Sequence, residues 1–267
     1  MIAEASDPKS SLPDKALERL SEKIRKTMVR AMSDFHMIEE GDRVLAAVSG
    51  GKDSATMLIH LEEIRKRAKF RFTVDALLVN QKQPWFDAEQ YLAWMTGRGF
   101  FIKMIEDDVF NVALQKTRPG KSLCRICSRL RRGVLYTYAR KNGYTKIALG
   151  HHRDDLNETL LMNMFFSGRI AAMPPKLVSN DGHNVVIRPM CYVEEEKIIA
   201  YKEAAGIPVM TCDPCESQDK AQRQKMKTLL KGLESTYPGL EAILLKSMKN
   251  IKPSRLLDKD LFDFHEF

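Results

Sequence analysis

Residues 44–54 constrain the fold of this chain more than any other stretch. Five apolar residues, Val44 to Val48, run straight into Ser49-Gly50-Gly51-Lys52-Asp53-Ser54, and Ala55 to Ile59 then read as the start of a helix. A buried strand, a glycine turn and a helix, in that order, gather successive backbone N–H groups around an anion at the helix N-terminus. The paired glycines let the chain turn tightly and let a phosphate approach backbone that carries no Cβ. Lys52 adds a positive charge, and Ser49 and Ser54 add hydroxyl donors. The common P-loop also needs a glycine at position 46, ahead of Gly51-Lys52, and Ala46 stands there instead. The expectation is a phosphate-binding strand–helix unit of a different design.

Strand and helix patterns alternate along the rest of the chain. Leu17, Leu20, Ile24, Met28 and Met32 recur at helical spacing over 15–35. Strands are expected at 44–48, 72–79, 100–105, 146–149 and 185–188, with helices at 54–67, 89–98, 128–142, 154–166 and 194–205. Gly143 closes the 128–142 helix as a C-cap. After Pro208 the pattern changes to a cysteine pair and two helices, 217–233 and 238–249. This predicts an α/β fold, a parallel twisted sheet of about five strands with helices on both faces, plus an N-terminal helix and a C-terminal helical segment. The corresponding division is a tail and helix over 1–36, a phosphate-binding α/β domain over 37–207, and the cysteine pair with C-terminal helices over 208–267. Ligands of such sheets bind at the carboxyl ends of the strands. The Ser49 loop, Asn80 and Gly150-His151-His152 all follow strands and are expected to line one crevice.

The 267 residues suffice for one large domain with appendages, and no apolar run reaches the length of a membrane span. The first residues, with Glu4, Asp7 and Asp14, lack the basic start and apolar core of a signal peptide, so the expectation is a cytoplasmic chain without a membrane partner. Net charge is +8, and basic residues cluster four times: Lys23, Arg25, Lys26 and Arg30; Arg65 to Arg71; Arg125, Arg129, Arg131 and Arg132; and Lys220, Arg223, Lys225 and Lys227. One such run is an ordinary solvated face, whereas four on one chain point to a nucleic acid. Four of the five cysteines form two C-x-x-C pairs, Cys124/Cys127 and Cys212/Cys215. That spacing aims two thiolates at one centre and leaves three readings open: structural zinc, an iron–sulfur cluster, or a redox or persulfide-carrying pair. Cys191, alone, reads as a buried core thiol.

Ser49 to Ser54 resembles the PP-loop signature of the ATP pyrophosphatase family, whose members split ATP between the α and β phosphates and pass through an adenylated substrate. Six further segments sharpen the resemblance: 37–42, 124–133, 147–155, 173–177, 186–189 and 261–264. Together they are similar to the family of iron–sulfur-dependent enzymes that make 2-thiocytidine in tRNA, over about residues 15–264. The resemblance implies an ATP-dependent tRNA sulfurtransferase that replaces the C2 oxygen of an anticodon-loop cytidine with sulfur. It implies a [4Fe-4S] cluster on three cysteines, with Cys124, Cys127 and Cys215 as ligands and Cys212 as the alternative to Cys215. Its implied partners are tRNA, a sulfur donor (a cysteine desulfurase or sulfide itself) and a second copy of the chain.

Adenylating the C2 oxygen would turn it into a leaving group. Backbone N–H groups of residues 49–54, Lys52 and a Mg²⁺ ion would stabilise the departing pyrophosphate. Lys52 and Asp155 are therefore the candidate catalytic residues, with Ser49, Gly50, Gly51, Lys52, Asp53 and Ser54 holding ATP. Asp53 orients the metal or caps the following helix. Asp154 and Asp155 bind Mg²⁺, handle a proton, or cap the helix they begin. His151 and His152 contact nucleotide or serve structure. Two other readings remain: a PP-loop enzyme modifying a different tRNA base, and a zinc-stabilised tRNA-binding protein.

Overall fold

The computed structural model describes residues 14–118, 123–179, 182–210 and 218–265. Its centre is β1 (Arg43–Val48), flanked by β2 (Thr73–Asn80) and β4 (Lys146–Ala148), with β3 (Ile102–Glu106) outside β2 and β6 (Val185–Ile187) outside β4. These five strands are parallel, with Val44 facing Val74 on one side and Lys146 on the other. A sixth, β5 (Lys176–Val178), closes the far edge antiparallel to β6. The order β3-β2-β1-β4-β6-β5 corrects the count of about five. Three half-buried to exposed residues after Pro174-Pro175 give β5 too little periodicity to read as a strand.

Alternate residues of the inner strands feed two cores. Val44, Ala46, Val48, Ala76, Ala148 and Ile187 face one layer, and Leu45, Ala47, Leu77, Val79 and Ile147 face the other. The first layer is built by α1 (Asp14–Asp34), α2 (Lys52–Arg67), α3 (Glu89–Thr96) and α7 (Glu195–Ala205), through Ile24, Met28, Met57, Leu61, Tyr91, Met95 and Ile198. The second is built by α5 (Leu123–Lys141), through Leu135 and Ala139. Helices thus cover both faces, as the near-continuous apolar strands require. Two helical details differ from the sequence reading. A short α4 (Val109–Lys116) precedes α5, burying Val109, Phe110 and Ala113. And α5 starts at Leu123 rather than 128, so Cys124 and Cys127 lie on its first turns.

The strand order reverses between β1 and β4, and connections leave those two strands in opposite directions across the sheet. This switch point opens a crevice at their carboxyl ends. The Ser49 loop, leading into α2, and the loop from Gly150, leading into α6 (Arg153–Ser167), meet there. Beyond α7, α8 (Gln218–Thr236) packs on α6 through Met226, Leu230 and Leu161, and α9 (Leu240–Ser247) follows.

Candidate active site

Gly50 adopts φ +77° and Gly51 is extended at the N-cap of α2, where no side chain satisfies the first-turn N–H groups. An uncapped helix start behind a glycine turn is an anion site. Ser54 stiffens the loop from inside: its Oγ accepts the Ser49 N–H at 3.1 Å and donates to the Gly51 carbonyl at 3.1 Å. Met210 locks it from outside, its N–H donating to the Gly50 carbonyl at 3.0 Å. A Cβ on Gly50 would sit 2.1 Å from Met210 Sδ. The Lys52 ammonium lies 2.9 Å from Asp53 Oδ1 and 3.1 Å from Glu195 Oε1. Burial opposes its charge, but these two carboxylates more than offset that and raise its pKa.

Gly150 brings the second loop against the first. A Cβ there would meet the Ser54 backbone nitrogen at 3.0 Å, so only glycine allows the approach. Adjacent His151 and His152 are shifted in opposite directions. Burial pushes the His151 pKa down to about 4, with Arg188 and Arg223 adding to the effect. Burial would do the same to His152, yet the carboxylates of Asp154, Asp155 and Asp53 outweigh it and raise its pKa. His152 Nε2 stands 3.7 Å from Asp53 and 3.4 Å from Asp155. Two of the carboxylates read as metal candidates, Asp53 and Asp155, thus share one imidazole.

Asp154 and Asp155 divide the roles that the sequence left open for them. Asp155 accepts the His152 N–H at 3.0 Å, helping to cap α6, while its other oxygen takes Arg223 at 3.1 Å, and it lines the crevice. Asp154 does not line it. Its Oδ2 accepts the Glu195 N–H at 2.9 Å and so caps the neighbouring helix α7. Although burial opposes it, His152, Arg153 and that N–H hold the Asp154 carboxyl well below the usual range.

The crevice holds about 580 Å³. One wall is Ser49, Asp53 and Ser54; the facing wall is Ser128, Arg131, Arg132 and Tyr136 of α5; His151, Asp155, Arg188 and Arg223 complete it. The Ser49 and Gly150 loops meet as expected. Asn80 is not part of the lining: its side-chain carbonyl accepts the Lys82 N–H at 2.9 Å.

Cys124 and Cys127 open the helix whose next residue, Ser128, enters the cavity wall. Three residues apart, they share one helical face. Cys127 is buried among Val109, Ala113, Leu123, Ile126 and Leu130. Neither is in a disulfide. Cys212 and Cys215 lie outside the described residues, and among the described residues no three metal-binding side chains converge. The donor set present, two thiols on the first turns of a helix beside the crevice, fits half or more of a soft-metal site.

The four basic clusters separate. Arg131, Arg132 and Arg223 line the cavity, and Lys227 grips Glu195 at 2.5 Å. The Arg65–Arg71 run closes α2 at the opposite, amino-terminal edge of the sheet, where Arg71 accepts the Gly41 N–H ahead of β1; there it complements the helix dipole. Glu195, Met210 and Arg188 went unread in the sequence. Only the spacing of Arg223 and Lys227, four apart on one helix, offered a signal that two members of the fourth cluster share a face.

The PP-loop domain family matches residues 19–232. A tRNA-cytidine(32) 2-sulfurtransferase of Bdellovibrio bacteriovorus is 46% identical over 245 residues, covering 92% of this chain and 94% of that protein. One from Vibrio vulnificus is 45% identical over 246 residues, covering 92% and 79%. Among solved structures, the U34-tRNA thiolase NcsA from Methanococcus maripaludis, with its [4Fe-4S] cluster, superposes with a TM-score of 0.66 at 20% identity, over 89% of this chain and 80% of that one. That likeness is one of fold.

Proposed function

The chain belongs to the PP-loop domain family and, within it, to the tRNA-cytidine(32) 2-sulfurtransferases, and from that premise we propose that it uses ATP to replace the C2 oxygen of an anticodon-loop cytidine with sulfur. One observation carries this reading: a single cavity joins the glycine loop, through Ser49 and Ser54, to the helix that begins with Cys124 and Cys127. A nucleotide activated at the first wall lies across from the helix whose first turns carry the two thiols.

The first step joins the cytidine C2 oxygen to the α-phosphorus and expels pyrophosphate. Charge accumulates on the leaving group, where the open N–H groups of α2, the Gly50 turn and Lys52 receive it. Asp53 and Asp155 are the oxygen donors that would hold a Mg²⁺ ion, which neutralises phosphate charge when bound. In the second step a sulfide-level nucleophile attacks C2 and AMP leaves, so the base exchanges C=O for C=S without net redox change. Cys124, Cys127 and Cys215 are the residues that would hold a [4Fe-4S] cluster, with Cys212 the alternative to Cys215. When bound, such a cluster offers an iron not ligated by protein as the place for that sulfide. His151, in the cavity wall with its pKa pushed down by burial, can accept a proton. Arg131 and Arg132 present charge to the tRNA backbone. tRNA, a sulfur donor (a cysteine desulfurase or sulfide) and a second copy of the chain are the partners of this reading, and cytoplasm its compartment. Among the described residues no helix is long and apolar enough to cross a membrane.

The test is nucleoside mass spectrometry of tRNA incubated with anaerobically prepared protein, ATP, Mg²⁺ and sulfide. The expected product is 2-thiocytidine, lost in Lys52→Ala and Cys124→Ala. No thiolated nucleoside from the unaltered protein, or equal yield from Cys124→Ala, overturns the proposal. Zinc in place of iron in the same protein supports the binding-module reading instead.

A further inference from the structure

Lys52 is the cation expected to meet pyrophosphate, yet its charge is already committed. Asp53 and Glu195 both sit within 3.1 Å of its ammonium, so the immediate cluster of one lysine and two carboxylates is net negative. A polyanion cannot enter favourably beside a buried, ionised glutamate unless another cation balances it. Burial disfavours the Glu195 charge, but Lys227 and Lys52 hold the carboxylate ionised. The second of these cations comes from α8: Lys227 Nζ lies 2.5 Å from Glu195 Oε2, while Lys52 takes Oε1. One carboxylate therefore holds two ammonium groups side by side at the mouth of the glycine loop.

Both partners are placed for this. Glu195 opens α7, where the helix dipole favours an anion, and its own N–H is fixed by Asp154. Lys227 follows Arg223 by one helical turn, and Arg223, which lines the crevice, reaches Asp155 and Glu158. The face of α8 opposite its buried Met226 and Leu230 contacts is not what engages here; the cations flank that packed stripe and are held in place by it.

We propose that Lys227 is a second phosphate-binding cation of the ATP site, positioned by Glu195 to contact the pyrophosphate leaving group beside Lys52. This rests on the nucleotide reading above and adds a residue to it. When pyrophosphate occupies the loop, the two ammonium groups turn from Glu195 toward phosphate oxygens, and Glu195 remains as the counter-charge that keeps them adjacent. AMP, lacking the β and γ phosphates, does not reach Lys227.

Calorimetric titration of the full chain with magnesium pyrophosphate, and separately with AMP, tests this. A charge-assisted contact predicts that Lys227→Ala weakens pyrophosphate binding by about tenfold or more, with AMP within about threefold of the unaltered protein. Lys227→Arg should restore most of the loss. Lys227→Ala strands Glu195, so Lys227→Met combined with Glu195→Gln removes both charges together. Measured against Glu195→Gln alone, in which no carboxylate is stranded, that pair should still bind pyrophosphate several-fold more weakly and AMP equally well, whereas a merely structural ion pair predicts no difference between the two. Unchanged pyrophosphate binding in Lys227→Ala, or equal pyrophosphate binding in the double variant and in Glu195→Gln, overturns the assignment. An unaltered protein that binds neither probe overturns the nucleotide reading along with it.

Discussion

Gly50→Ala is the substitution whose consequences the structure fixes most tightly. Two penalties fall on one methyl group. The backbone at φ +77° lies in the left-handed region, which costs an alanine roughly 1–2 kcal/mol relative to glycine. The new Cβ would also stand 2.1, 2.7 and 2.9 Å from Sδ, Cγ and Cβ of Met210. The sulfur can swing away, but the Met210 Cβ moves only with its backbone, whose N–H is bonded to the Gly50 carbonyl itself. Overpacking of this kind costs about 1–3 kcal/mol, so the two together reach roughly 2–5 kcal/mol. Met210→Ala alone leaves a half-buried gap and should cost about 1 kcal/mol, below the range for a fully buried methionine. In the double variant two of the three close contacts vanish, so the sum should fall short of additivity by about 1–2 kcal/mol. Urea denaturation of the four proteins measures the cycle. Additivity within about 0.5 kcal/mol would refute the claim that Met210 is seated on the glycine loop.

Gly150→Ala places a Cβ against Ser54 and Asp53 backbone at 3.0 and 3.1 Å, with no flexible end to yield. It should destabilise by about 1–3 kcal/mol and weaken pyrophosphate binding in calorimetry, whereas Gly168→Ala, with open space around it, should leave binding alone. Burial and the neighbouring Asp154 push the Glu241 carboxyl up to about 7 from an ordinary 4.5, so the folded chain keeps a proton that the unfolded chain releases. Its contribution is most favourable below pH 4.5 and declines as pH rises to about 7. Glu241→Gln should flatten that decline in denaturation curves at successive pH values. His152, with its pKa raised, adds stability that is full below its ordinary 6.5 and is lost as pH climbs through the folded value. His151, pushed down to about 4, acts oppositely and loses stability as pH falls from 6.5 toward 4. Two-dimensional NMR of the imidazole carbons should find His151 titrating well below His152; the reverse order would contradict the assignment.

What could be read in the sequence was what local chemistry writes there. The Ser49–Ser54 loop needs glycines and a lysine in consecutive positions, and the strands around it are apolar runs bounded by turn residues, so both are visible without tertiary information. The start of α5 was missed for a physical reason. Leu123, Ile126, Leu130 and Val134 recur at helical spacing, but Cys127 completes that stripe as a packed apolar group, and read only as a ligand it broke the pattern. β5 is three residues long and makes sense only as an edge paired to β6. The division of labour between Asp154 and Asp155 is set by which helix each reaches, and one of those helices begins 41 residues later. Glu195 and Lys227 are more than 30 positions apart in an unremarkable acidic run and an unremarkable basic one, and only packing of α8 on α6 brings them together.

The loops that follow β1, β4 and β6 form one mechanical unit, which explains why the site tolerates so much buried charge. Gly150 rests on the first turn of α2; the Arg153 N–H donates to the Val193 carbonyl at 2.9 Å; Asp154 caps α7; Glu195 returns to Lys52. Each link fixes the partner of the next, so no carboxylate in the ring relies on one cation. A paired network of this kind loses less side-chain entropy per ion pair than isolated bridges do, because each group is already ordered by its neighbour. It also means that phosphate arriving at Lys52 cannot be a local event. Releasing Lys52 from Glu195 shifts charge onto Lys227, and through it onto α8, whose Arg223 holds Asp155 in the cavity wall. Residues beyond 208, a separate texture in sequence, are thereby tied by ion pairs to the glycine loop.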